Sequence, residues 1–292
     1  MNANPQHPAR PAVRQSRPVE RIVAGRATAE GAGVKLTRVF GQTLHRRLDP
    51  FLMLDAFRSS SPQDYIAGFP AHPHRGFETI TYMLAGRMRH RDSAGNEGLL
   101  DSGGMQWMLA GRGVIHSEMP EQDQGLLEGF QLWLNLPARD KLVSPDYQDF
   151  TRDKIPEFHT EAGTRVRVLM GASHGVPGAV QRPVTAPLFL DIQLPAGARH
   201  AEVLPIEHHA AVYVYRGDLR IAGAELSAGQ LAILANASHA DGVILEARQA
   251  CGALLIAGHP LGEPIAQHGP FVMNTQDQIK QAIADYQAGK LA

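Results

Sequence analysis

The chain has 292 residues, enough for two ordinary domains or one large one. A formal net charge of −1 gives no electrostatic reason to expect a nucleic-acid or membrane-surface partner. The single cysteine, Cys251, excludes an internal disulfide framework and fits a reducing, cytoplasmic setting.

In chain order, the first twenty residues, "MNANPQHPARPAVRQSRPVE", are rich in proline and arginine and contain no apolar stretch of signal-peptide type. They read as a disordered, solvated tail, with Arg10, Arg14 and Arg17 as at most a weak basic arm. Strand signals then dominate to about residue 272: "TITYML" (79–84), "MQWML" (105–109), "GFQLWLNL" (129–136), "TRVRVLM" (164–170), "PLFLDIQL" (187–194), "AAVYVYRG" (210–217), "QLAIL" (230–234) and "GALLIAG" (252–258). Most alternate, or are β-branched and aromatic, with Gly, Pro, Asn or Asp between them. Short, regularly punctuated strands of this kind build sandwiches or barrels, so the fold class is all-β. One helix is predicted near the end, where Thr275 and Gln278 make a capping box and Ile279, Ala282, Ile283 and Tyr286 form one apolar stripe. No segment is apolar for long enough to span a bilayer as a helix.

Two segments repeat. "FETITYMLAGRMR" (77–89) matches "HHAAVYVYRGDLR" (208–220) in register, and "GGMQWML" (103–109) has the pattern of "AGQLAIL" (228–234). A duplicated β-barrel is the inference, with one barrel over 21–145 and a second, carrying the terminal helix, over 146–292. The boundary falls in the polar, proline-bearing "ARDKLVSPDYQDFTRDKIPEF".

The stretch "AHPHRGFETI" (71–80) carries the chemistry. His72 and His74 are two apart, so on an extended backbone they point to one side, and His116 and Glu118 in "HSE" have the same spacing. With 14 histidines in the chain, about 0.7 H-x-H pairs arise by chance, so spacing alone is weak. The joint context is better: each pair adjoins glycines suited to a barrel rim, and some forty residues separate them, which allows neighbouring strands. Three imidazoles and a carboxylate, without sulfur, suit a borderline divalent metal; iron and zinc both accept such a set. Glu78 shares the parity of His72 and His74 and is open to three roles: a fifth ligand, an outer carboxylate, which is favoured because Gly76 interrupts the parity, or an ion-pair partner of Arg75. His90 is expected in a solvated hairpin. Trp107 and Trp133 are expected in the core, with one of them as an alternative wall for an aromatic ligand. In register, the second half places Val203, Pro205, Asp241 and Val243 opposite the four candidate ligands, so no metal is expected there, and His208 and His209 read as structural or exposed.

The stretches "FLMLDAF" (51–57), "HPHRGFETITYMLAG" (72–86), "GGMQWMLAGRGVIHSEMP" (103–120), "FQLWLNLP" (130–137) and "GEPIAQHGPFVMNT" (262–275) resemble the pirin family of bicupins, and the resemblance runs from about residue 20 to the end. It implies two cupin β-barrels with one divalent metal per chain, usually Fe(II), in the first. By motif position it carries the ligands onto His72, His74, His116 and Glu118, and sets Glu78 aside from ligation. It also implies two kinds of work. One is quercetin 2,3-dioxygenase-like opening of a flavonol by dioxygen with release of carbon monoxide, in which Glu118 doubles as catalytic base. The other is metal-dependent, redox-sensing regulation through a transcription factor or metabolic enzyme as protein partner. No direct nucleic-acid or membrane partner is expected.

Overall fold

A computed structural model describes residues 13–292. It divides into two compact units: Gly25–Ile155 with Pro260–Ala292 forms the first, and the N-terminal segment through Ala24 joins Pro156–His259 in the second.

In the first unit a seven-stranded antiparallel sheet runs, edge to edge, Asp146–Phe150, Met105–Leu109, Phe77–Ala85, Leu127–Asn135, Phe51–Ser59, Val34–Phe40 and Arg26–Glu30. A four-stranded sheet completes the barrel in the order Phe69–His74, Val114–Pro120, Met88–Asp92, Glu97–Leu100. The second unit repeats both orders. Its large sheet runs Val19–Ala24, Gln230–Leu234, His209–Arg216, Cys251–Gly258, Leu188–Leu194, Arg165–Met170, Glu157–His159, and its small one Arg199–Val203, Gly242–Ala247, Asp218–Ile221, Ala224–Ser227. The all-β, duplicated architecture read from the sequence is therefore the observed one.

The second unit is filled by an aliphatic cluster that includes Val166, Leu190, Val212, Leu234, Val243 and Leu245. The first unit has less interior aliphatic packing, because part of its inner face is polar. Asp55, Thr81, Gln106, His116 and Glu118 are all buried there. Buried polar groups cost free energy unless they are paired, so this concentration marks where the first barrel does something other than fold.

The division departs from a single cut after residue 145 at both ends of the chain. The helix Gln276–Gln287 forms with the expected capping box on Thr275, and Ile279 and Ala282 are its buried positions. They pack on Ala266, Phe271, Met273 and Leu291, with Ile115 against the cluster, so the helix belongs to the first unit. Tyr286, at 41% exposure, only borders that stripe. The reading of residues 13–20 as solvated tail is also corrected. Backbone N–H groups of Arg14 and Gln15 donate to the Asp241 carboxylate, and Val19–Ala24 adds an edge strand to Gln230–Leu234. Arg17 is fully buried, its guanidinium donating to the carbonyls of His208 (2.7 Å) and Pro205 (2.6 Å). Composition could not reveal this, because the segment is held by acceptors about two hundred residues away. The rest of that tail, with Arg10, lies outside the described residues. Among the described residues no helix is long and apolar enough to cross a membrane.

Candidate metal centre

His72 and His74 sit at the end of the strand Phe69–His74, and His116 lies directly across the ladder from His72 on Val114–Pro120. Cross-strand partners share a face, and the two-residue period puts His74 on the same side. The three imidazoles therefore converge. His72 Nε2 lies 3.1 Å from His74 Nε2 and 3.0 Å from His116 Nε2. Two nitrogens about 2.1 Å from one ion stand about 3.0 Å apart at right angles and about 3.4 Å apart at the tetrahedral angle. The observed spacings suit nitrogens that share one ion.

The chain turns sharply after His74. Gly76 has φ +89°, and a Cβ there would run into the Val272 carbonyl, so glycine is required where the histidine strand reverses into Phe77–Ala85. Arg75 is anchored from behind by Asp285 of the helix at 2.7 Å and by the Arg112 carbonyl. Lys141 Nζ, also buried, donates to the carbonyls of Gly76 (2.8 Å) and Val272 (2.9 Å) and to Asn135 Oδ1 (2.8 Å). Burial pushes the Lys141 ammonium down to about 7.

The unused ring nitrogens fix the tautomers. His72 Nδ1–H donates to the Pro70 carbonyl at 2.8 Å, leaving its Nε2 lone pair free. His90 Nε2–H donates to Asp92 Oδ2 at 3.1 Å, while its Nδ1 accepts from Gln106 Nε2 at 2.8 Å. The proton in the 3.4 Å contact between His116 Nδ1 and His90 Nδ1 therefore belongs to His116, and its Nε2 lone pair is likewise free. Burial, then the facing His72, holds His74 well below the ordinary imidazole range, with the Pro270 carbonyl acting in the opposite direction. Burial, then His74, His72 and His90, does the same to His116. Both rings are neutral, as ligation requires.

Glu118 follows His116 by two residues and is buried, but its carboxylate stands outside the group of histidine nitrogens that lie within 4.8 Å of one another. Thr81 Oγ1 donates to it at 3.0 Å and Gln131 Nε2 at 2.8 Å. Among the described residues no lysine or arginine reaches it, so this buried side chain has neutral hydrogen-bond donors but no lysine or arginine partner. The three histidine nitrogens thus fit one divalent cation in spacing, and the neighbouring Glu118 carboxylate suits its charge.

Several expectations change here. His90 is not in a solvated hairpin: it is 1% exposed, stacked on the Tyr147 ring at 4.4 Å, and is the outer partner of His116. Its neighbours Arg89 and Arg91 do face solvent, and strand alternation separates it from them. Glu78 does not pair with Arg75; its Oε2 accepts from Trp107 Nε1 at 2.6 Å. Trp107 and Trp133 are both buried in the core, as expected, and Trp133 also lines a cavity of about 720 Å³ that opens onto His72 and His74. Thr81 and Gln131, both missed from sequence, also line it, together with Met53, Phe57, Phe69 and the Arg38–Asp55 pair. The signal for Gln131 was present, as a polar residue sharing Trp133's parity in the apolar middle of its strand.

Two barrels of common strand order, with three convergent histidines and a buried glutamate in the first, define a bicupin with a candidate metal centre. The comparisons narrow the class. Residues 33–134 match the model described as Pirin, and 189–292 the model described as Pirin C-terminal cupin domain. A Pseudomonas aeruginosa protein provisionally named quercetin 2,3-dioxygenase is 50% identical over 94% of this chain and 98% of its own length. A pirin-like protein of Caulobacter vibrioides is 48% identical over 94% of this chain and 99% of its own. Among solved structures, a quercetin 2,3-dioxygenase from Acinetobacter baumannii superposes with TM-score 0.89 at 33% identity, covering 95% of this chain and 99% of that one. This chain belongs to the pirin family.

Proposed function

We propose that the chain is a metal-dependent dioxygenase of quercetin 2,3-dioxygenase type, holding one Fe(II) in its first unit through His72, His74, His116 and Glu118. Its substrates are a flavonol and dioxygen, and its products are the ring-opened ester and carbon monoxide. The observation that carries this reading is the buried carboxylate of Glu118 beside three convergent histidines, held by Thr81 and Gln131, which themselves line a cavity large enough for a drug-sized aromatic ligand. The names of the Pseudomonas aeruginosa relative and of the Acinetobacter baumannii structure support the choice of reaction.

When bound, the ion supplies Lewis acidity and redox chemistry. The remaining work falls to the chain's own side chains. Trp133 and Phe57 offer flat apolar walls to an aromatic ligand. Glu118 is the base that accepts the proton of the flavonol 3-hydroxyl. Thr81 and Gln131 hold its two oxygens in place, and Gln131 is in turn fixed by Trp133 Nε1, which donates to its Oε1 at 3.3 Å.

The test is Glu118→Gln. The amide can still accept from Gln131 and donate to the Thr81 hydroxyl, so the fold should tolerate it. Iron-loaded variant should bind flavonol yet turn it over about 10²–10⁴-fold more slowly, the usual loss for a general base. Wild-type turnover by the fully loaded variant would refute the base assignment. No turnover of any flavonol by iron-saturated wild type under air would instead favour regulation through a protein partner.

A further inference from the structure

The second unit contains a cluster that the in-register repeat conceals. The alignment places Val203 and Pro205 opposite His72 and His74, yet Val203 is 41% exposed. The strand Arg199–Val203 is offset by one residue, which exchanges its faces. Its inward residues are His200 and Glu202, paired across the ladder with Leu245 and Val243 of the aliphatic core. Both are buried, at 2% and 3% exposure.

A two-residue hairpin loop completes the group. His174 and Gly175, between Ala172–Ser173 and Val176–Pro177, both have positive φ (50° and 80°), as the tightest hairpin turn demands. Asparagine or glycine is the usual choice at the first position, and a histidine there is held at some conformational cost. Two donors converge on one Glu202 oxygen, Oε2: Ser173 Oγ at 2.7 Å and His200 Nε2 at 3.3 Å, with His174 Nε2 close by at 3.6 Å. One ligand atom from each of His174, His200 and Glu202 lies within 4.8 Å of the others. Among the described residues no lysine or arginine reaches Glu202, although a carboxylate inside an aliphatic barrel needs compensation.

We propose that His174, His200 and Glu202 form a second cation site, for a borderline divalent ion such as zinc. Two imidazoles and one carboxylate are a familiar zinc donor set, with a fourth position left to water. His174, with its side chain 16% exposed, gives that position access to solvent, while His200 and the Phe158 ring, 5.2 Å from His174, close the inner side. Ligation exchanges two existing contacts: His174 Nε2–H now donates to the Ala201 carbonyl at 2.9 Å, and His200 Nε2–H to Glu202. The site stands apart from the dioxygenase reading, since none of its residues belongs to the first unit.

The experiment titrates metal-stripped full chain with Zn(II) against a chromophoric chelator. Wild type should take two equivalents, and His72→Ala/His116→Ala should keep one. Adding His174→Ala or Glu202→Gln to that background should weaken the remaining equivalent by more than about 100-fold, beyond the loss typical of an outer-shell change. His174 lies at a turn and can be removed without opening the core, so the test survives if Glu202→Gln fails to fold. A total of one equivalent in wild type, with none in His72→Ala/His116→Ala, overturns the second site and leaves the first intact. Zinc binding in that background unaltered by His174→Ala also overturns it.

Discussion

Ile279→Ala tests whether the terminal helix supports the histidine strand. Ile279 is 3% exposed and packs in one cluster with Ala266, Phe271, Met273, Ala282 and Leu291. The substitution removes three buried carbons without altering backbone order, and such changes cost about 2–5 kcal/mol according to how far the site can collapse. The neighbouring strands Ala266–His268 and Phe271–Met273 are short, which allows some collapse, so about 3 kcal/mol is the expected value. At about 2–4 °C per kcal/mol for a unit of this size, the melting temperature should fall by roughly 6–12 °C. The effect should reach the centre, because Val272 N–H donates to the Arg75 carbonyl at 3.0 Å and Asp285 holds the Arg75 guanidinium. Iron should therefore be lost to a chelator faster than from wild type at the same temperature. Differential scanning calorimetry with metal analysis reads both effects, and Tyr286→Ala, at a 41% exposed position, is the control that should move neither by much. A melting temperature unchanged by Ile279→Ala would refute the packing argument.

His90→Ala removes the group that receives the His116 Nδ1 proton while keeping all four proposed ligands. Iron affinity should fall about 10–100-fold, and an unchanged chelator-competition constant would show that the outer partner is idle. Lys141→Met leaves the Gly76 and Val272 carbonyls and Asn135 Oδ1 without their donor, at about 1–3 kcal/mol each. The pH dependence has a definite sign. The folded chain protonates Lys141 near 7 and the unfolded chain near 10.5, so the unfolded state binds more protons between those values and the lysine's contribution to stability rises with pH. Urea midpoints of wild type and Lys141→Met should diverge from pH 7 to pH 10, and parallel curves would contradict the depressed value.

The strands were legible because alternation and turn residues are local properties, and the helix because Thr275 and Gln278 make a complete cap within four residues. The duplication was visible in the same way, and strand order in both units agrees with it. The meeting of His72, His74 and His116 followed from a two-residue period plus a plausible ladder, which the structure supplies as the His72–His116 pair. What failed were statements that needed a partner distant in sequence. Arg17 looked like tail because its acceptors, His208 and Pro205, are far along the chain. His90 looked solvated between two arginines because nothing local says which face of Met88–Asp92 turns inward.

The second cluster makes the division plainest. The sequence determined that both halves carry the same strands and that the first holds paired histidines, since strand propensity and two-residue spacing are written into consecutive residues. Tertiary structure alone decided that Arg199–Val203 slips by one residue, turning His200 and Glu202 inward to face His174, and that Gln131 and Thr81 grip Glu118. Register is set by pairing across the barrel, where one residue of offset reverses every side chain, and no short stretch of sequence contains that information.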